Sequence, residues 1–334
     1  MPIAEPTPSP KQGAPIWLGM LVLYVVWGST YLGIAIAVDT IPPFLMAAAR
    51  FFLAGAILLA WSIAREGRSF VLPSRREWRD NAIVGALLLG GGNGLVAFGE
   101  QTVPSGIAAL LVGLMPVWVA ILGGILLGDR LPRLAMIGIA IGFAGVAILV
   151  GPSALGGSGS LDPVGLAACL LAPIAWAGGS LFASRRASLP GRPLVATGLQ
   201  MVLGGLVLAV MATVAGELGT FDPAAVTRDS LLAFAYLTVI GSILAFTVYG
   251  WMLRVAPLPL VATYAYVNPV VAVLLGWGLA NEPMTLRTML AAAVIIGAVV
   301  VIIRYGARTK PEPVRSNVAP AKPVDLPVRR AEAR

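Results

Sequence analysis

Residues 16–38, 105–127, 134–151 and 257–280 contain no Asp, Glu, Lys or Arg. A helix rising 1.5 Å per residue needs about 20 apolar residues to cross a hydrocarbon layer about 30 Å thick, and each stretch is of that order. Lipid offers nothing to backbone N–H and C=O groups, so a spanning chain forms either helices or a closed barrel. The runs are continuous rather than alternating with period two, which excludes the barrel. Composition agrees: 58% of the 334 residues are hydrophobic and 11% are charged, where a soluble domain carries about a quarter charged residues. The fold class that follows is an all-α integral membrane protein.

Turns rich in Gly, Pro and Asp separate the runs, as at Val38-Asp-Thr-Ile-Pro-Pro43. They predict ten transmembrane helices near 16–38, 42–64, 82–100, 105–127, 133–151, 163–184, 194–216, 231–252, 257–280 and 287–304. With ten crossings, twenty of the 23 Lys and Arg fall on one side, among them Arg65 to Arg79, Arg185, Arg186, Arg192 and the tail from Arg304. Arg228 and Arg287 fall on the other side, and Arg50 lies within a span. Basic residues stay on the cytoplasmic side of short loops, so both termini are expected there. The first apolar run is too long for a signal-peptide core and ends in Asp39-Thr-Ile-Pro42, so no cleaved signal is expected. Residues 1–15 and the Pro-rich tail 306–334 read as disordered. The net charge of +8 is then an attraction to anionic membrane lipid rather than a nucleic-acid site.

Shifting residues 102–151 by 153 positions lays them on 255–304 without a gap. Pro104 meets Pro257, Pro116 meets Pro269, Gly123 meets Gly276, and Asp129 meets Glu282 just past a helix end. Earlier in each half, Trp27 pairs with Trp176, Pro43 with Pro193 and Gly55 with Gly205. Each half holds five predicted spans, and five is odd, so the second half inserts upside down relative to the first. Inverted repeats are a common architecture of secondary transporters, with a binding site near the bilayer midplane between the repeats.

The segments Trp27-Gly-Ser-Thr-Tyr-Leu-Gly33, Pro42-Pro-Phe-Leu-Met-Ala-Ala-Ala-Arg-Phe51, Val103-Pro-Ser-Gly-Ile-Ala-Ala109 and Tyr264-Ala-Tyr-Val-Asn-Pro-Val-Val-Ala-Val-Leu-Leu-Gly276 resemble the EamA domains of the drug/metabolite transporter superfamily. The resemblance covers two repeats, 16–151 and 163–305, joined by a linker at 152–162. It implies ten helices, a location in the bacterial inner membrane, and export of small metabolites or drugs, amino-acid-like or other small organic molecules. It implies no particular substrate.

Arg50 is the sharpest candidate for substrate binding. It lies about 10 Å into its span at helical rise, where a charge costs about 2.5–3.5 kcal/mol. Its guanidinium could bind an anionic or carboxylate-bearing substrate, or serve a structural ion pair. Gln200 is its counterpart in the second half and is counted with it. Glu100 ends the third span, where it could pair with Arg50, exchange a proton that couples transport, or stand in interfacial water, the reading favoured here. Asp39, Asp129 and Glu282 fall in loops and are expected to cap the next helix or to be solvated. Asn93 interrupts Gly90-Gly-Gly-Asn-Gly94 in mid-span. Tyr264 and Asn268 lie one turn apart beside an expected kink at Pro269. Their repeat counterparts, Leu111 and Met115, are apolar, so the repeat alone does not require polarity there. Trp27 and Trp176 could pack or line a cavity. Gly138-x-x-x-Gly142 and Ala293-x-x-x-Gly297 are close-packing spacings, used within the chain or in a homodimer.

The chain has no His and one Cys, Cys169. No cofactor or metal is expected, and an enzyme in lipid would want His or paired intramembrane carboxylates. No Walker-type loop occurs. A secondary transporter of a small molecule is the leading reading. A passive channel is the alternative, although the sparse polar residues suit an occluded cavity better than a continuous pore.

Overall fold

The computed structural model describes residues 10–129, 132–150, 162–256, 261 and 263–305. Residues 1–9, 151–161 and 306–334, and with them most of the expected terminal segments and the linker, lie outside the described residues. The described chain is helical throughout its ordered elements. In order these are α1 (Pro10–Val38), α2 (Pro43–Glu66), α3 (Arg75–Gly85, then Ala86–Gly94 and Leu95–Gly99), α4 (Ser105–Val112, then Met115–Leu127), α5 (Arg133–Val150), α6 (Pro163–Arg185), α7 (Pro193–Val214), α8 (Arg228–Tyr236, then Leu237–Leu244 and Ala245–Val255), α9 (Tyr264–Ala280) and α10 (Leu286–Tyr305). Among the described residues eight helices are long and apolar enough to cross a membrane, α1 to α4, α6 to α8 and α10; α5 and α9 are shorter apolar helices.

Several boundaries differ from expectation for identifiable reasons. α1 starts at Pro10, so residues 10–15 belong to a helix and not to a disordered lead; proline is tolerated in a first turn. α3 starts at Arg75, well before the apolar run, because a capping box extends it. Ser74 Oγ accepts from Glu77 N–H at 3.3 Å, and Glu77 Oε2 accepts from Ser74 N–H at 2.7 Å. α4 breaks at Gly113 and Leu114. Pro116 has no N–H to give the Val112 carbonyl, so the helix opens one turn earlier. Its counterpart Pro269 instead lies inside a continuous α9. The centres of α3 and α8, Ala86–Gly94 and Leu237–Leu244, are π-helical.

The two halves exchange packing partners in the same pattern. α1 lies against α8 and α9, while α6 lies against α3 and α4. α2 packs most extensively on its own counterpart α7, and α5 on its counterpart α10. The Gly138 spacing serves this last pair. A Cβ on Gly138 would stand 2.7 Å from Ile302, and one on Gly142 would stand 3.6 Å from Ala298, so that face of α5 is covered within the chain. Outward-facing side chains such as Phe52, Trp61, Ile125, Val210 and Trp277 are apolar and exposed, as a surface meeting hydrocarbon requires.

Turns at 39–42, 100–104, 215–227 and 281–285 gather at one end, held together by Thr40–Thr227, Thr102–Asp162 and Ser105–Glu282 contacts. This end carries Asp39, Glu100, Glu217 and Glu282 and is termed the acidic end. The opposite, basic end carries Arg65, Arg75, Arg76, Arg79, Arg185 and Arg192.

Candidate functional site

A cavity of about 90 Å³ opens where the two halves meet. Its walls come from α1 (Trp27, Thr30, Tyr31), α2 (Arg50), α3 (Gly92, Asn93), α4 (Gly113, Met115), α6 (Trp176), α8 (Phe246) and α9 (Tyr264, Asn268, Pro269). Six residues singled out in the sequence therefore meet around one space: Trp27, Arg50, Asn93, Trp176, Tyr264 and Asn268.

Arg50 is 3% exposed. Its Nε donates to Ser242 Oγ at 2.9 Å, and its guanidinium carbon lies 4.7 Å from the Phe51 ring centre. No carboxylate pairs with it among the described residues. A buried cation with a neutral hydroxyl and a π-face as its partners is undercompensated, and Arg50 is the one charged side chain on the cavity wall. Asn268, 7% exposed, presents an amide oxygen with no hydrogen-bond partner. Native structures rarely leave such a group unmet.

An aromatic cluster shares the cavity wall with these polar groups. Trp27 packs edge-on against Phe246 and Tyr264, with ring centres 5.3 and 5.0 Å away, and tilted against Tyr249 at 5.1 Å. These are favourable aromatic geometries, so Trp27 both packs and lines the cavity. Trp176 reaches the space from α6 because Gly92 yields to it: a Cβ there would sit 2.6 Å from the indole. Asn93 Nδ2 donates to Leu88 O at 3.4 Å, five residues back along the π-helical segment. Where α4 is interrupted, Gly113 abuts α9, and a Cβ on it would lie 2.9 Å from Pro269 Cγ. The break in one half thus meets the proline of the other.

Three expectations are corrected. Gln200 does not reach the cavity; its Nε2 donates to Asn81 Oδ1 at 3.1 Å and ties α7 to α3. α7 contributes nothing to the wall, so the position matching Arg50 points into a helix interface. Glu100 is not in interfacial water. It is 6% exposed, its oxygens have no hydrogen-bond partner, and it forms no ion pair with Arg50. Glu282 caps a helix start, but not the next one: Oε1 accepts from Ser105 N–H at 2.8 Å and Ser105 Oγ at 2.7 Å, and Oε2 from Gly106 N–H at 3.0 Å.

Thr30, Tyr31 and Ser242 were not singled out in the sequence. Hydroxyls are common in apolar helices and often bond their own backbone, as Thr30 does to Trp27 O at 2.6 Å. The signal available for Ser242 was its place beside Gly241 in the span matching the Asn93 glycine run.

The EamA-like transporter family model matches residues 15–151 and 163–304. The chain belongs to that family. It is 39% identical over 319 residues to "Uncharacterized inner membrane transporter YedA" of Escherichia coli (strain K12), covering 95% of this chain and 97% of that one. It is 27% identical to "Protein PecM" of Dickeya dadantii (strain 3937), covering 83% of this chain and 88% of the relative. A crystal structure with 22% identity superposes with a TM-score of 0.58, covering 86% of this chain and 96% of that one, and so shares the fold. Members of the family are membrane transporters, and that role extends to this chain.

Proposed function

We propose that this protein moves a small organic molecule across the bacterial inner membrane by alternating access, in the export direction. Its ten helices form two five-helix repeats of opposite orientation, with both termini cytoplasmic. The observation that carries this reading is the cavity itself. Both halves contribute its walls, and its polar groups come from within α2, α3 and α9, as expected for a site between inverted repeats. The exchanged packing of α1 and α6 supports the two-fold relation between the halves. The acidic end would be the closed periplasmic gate, fastened by Glu282 on α4 and by Glu217 on α2. Opening that gate while the basic end closes would carry the cavity from one face to the other.

The test needs no substrate. In a Cys169→Ser background, Thr30→Cys reports access to the cavity by an impermeant thiol reagent applied from either face of a vesicle. Thr40→Cys with Thr227→Cys, protected during labelling, allows the acidic end to be cross-linked. Cross-linking is expected to abolish labelling of position 30 from that end and to raise it from the basic end. A passive pore would lose labelling from one end without any gain from the other. Labelling unchanged from both faces would exclude the proposal.

A further inference from the structure

The cavity also specifies the charge of its ligand, an inference that rests on the transporter reading above. Arg50 brings one positive charge to the wall, and no lining carboxylate offsets it. Glu100, the counter-charge that the sequence suggests, lies within electrostatic range of Arg50 but is absent from the lining, forms no ion pair with it and has no hydrogen-bond partner among the described residues. Arg50 spends Nε on Ser242, and the outer edge of the guanidinium, with its paired N–H groups, meets no acceptor among the described residues. A planar fork of that kind matches a carboxylate or a similar oxyanion. The Asn268 amide oxygen, buried and unmet, requires a donor that no described residue supplies. The Trp27, Phe246 and Tyr264 rings, packed edge to face, provide an apolar aromatic wall.

An aromatic wall alone would equally suit an organic cation, through attraction to the ring faces. Arg50 decides against that: like charges held in one low-dielectric space repel strongly. We infer that the cavity takes a small organic monoanion bearing an apolar body and one hydrogen-bond donor. The anionic group sits at Arg50, the donor at Asn268 and the body against Trp27. Lipophilic cations are excluded as cargo.

Three probes with a common skeleton separate these features: 4-hydroxyphenylacetate is an anion with a donor, phenylacetate an anion without one, and tyramine a cation with one. Binding to the purified full-length protein at neutral pH is measured by calorimetry. 4-Hydroxyphenylacetate is expected to bind at least about ten-fold more tightly than tyramine, with phenylacetate a few-fold weaker than its hydroxylated analogue. Arg50→Gln should erase the preference for acid over amine. Asn268→Leu should make the two acids equal while both still outbind tyramine. If Arg50→Gln does not fold, Arg50→Lys keeps the charge without the fork, and should retain the preference with weaker binding. Tyramine matching or outbinding the acids, or a preference that survives in a folded Arg50→Gln, would overturn the inference. So would a failure of all three probes to bind. None of these outcomes touches alternating access, which the labelling experiment judges independently.

Discussion

The turns ending α4 and α9 share a backbone and differ in what their carboxylates hold. In both, the chain passes through a left-handed residue, Gly128 at φ 69° and Asn281 at φ 54°. The following N–H then returns to the carbonyl six residues back: Asp129 to Gly123 at 3.2 Å, Glu282 to Gly276 at 3.0 Å. This closure is one residue wider than the six-to-one bond of a Schellman motif, and it is repeated at the fixed offset found in the sequence. The side chains then part. Glu282 crosses to α4 and takes three hydrogen bonds at its start, and Gly276 gives it room, since a Cβ there would stand 2.4 Å from Oε2. Asp129, on the basic end, meets the part-exposed Arg185 at 3.2 Å, its one ion-pair partner among the described residues.

The helix pair α2 and α7 repeats the contrast. Glu217 receives the Phe44 and Leu45 N–H groups of α2 at 3.2 and 2.7 Å, whereas Glu66 pairs with Arg192 ahead of α7. The acidic end is therefore fastened by carboxylates on otherwise unmet helix N–H groups, where the helix dipole adds to the attraction. At the basic end the corresponding carboxylates form ion pairs that water and salt can screen. The repeat keeps the backbone turn while its matched carboxylates fasten differently at the two ends; outside these pairs, the buried Asp80 at the basic end accepts from Ser188 N–H at 2.7 Å.

The largest test of this difference sets Glu282→Ala against Asp129→Ala. Losing Glu282 strands N–H groups at a part-buried helix start, and thermal unfolding in detergent should register a loss of about 2–3 kcal/mol. Asp129→Ala should cost less than about 1 kcal/mol. Equal losses would erase the distinction between the two ends. Next, Glu217→Ala should cost about 1–2 kcal/mol as a lost cap and should be insensitive to added salt. Glu66→Ala should cost less than about 1 kcal/mol and lose even that at high salt. The smallest effect is one of pH. Burial raises the Glu217 carboxyl above its ordinary 4.5, although its two backbone hydrogen bonds pull the other way. Because the folded value is raised, the stabilisation is complete below 4.5 and is lost as pH climbs through the folded value. The stability of the natural protein relative to Glu217→Gln should therefore decline as pH rises from the acid side, a slope that the Gln variant lacks.

The membrane character and the twofold plan were legible because they reside in long uncharged runs and in paired prolines, which depend on the chain alone. Arg50, Asn93 and Asn268 could be picked out because a polar group at membrane depth demands a partner. What stayed hidden was which partner it has. Gln200 shares Arg50's place in the repeat, yet its helix faces Asn81. Glu100 sits at a helix end, where sequence suggests water, but the surrounding helices cover it. Glu282 reads as a loop residue until α4 is brought beside it from the other half. Each of these outcomes depends on contacts between distant segments, which a local pattern does not encode.

The wide turns at the centres of α3 and α8 have a consequence for how those helices meet their surroundings. A π turn takes up about one residue more than an α turn, so side chains beyond it are carried about 100° further round the axis. The stripe that faces hydrocarbon on one side of the turn is thereby out of phase with the stripe on the other. Each helix can greet lipid along both arms and still swivel Asn93 or Ser242 inward at its waist.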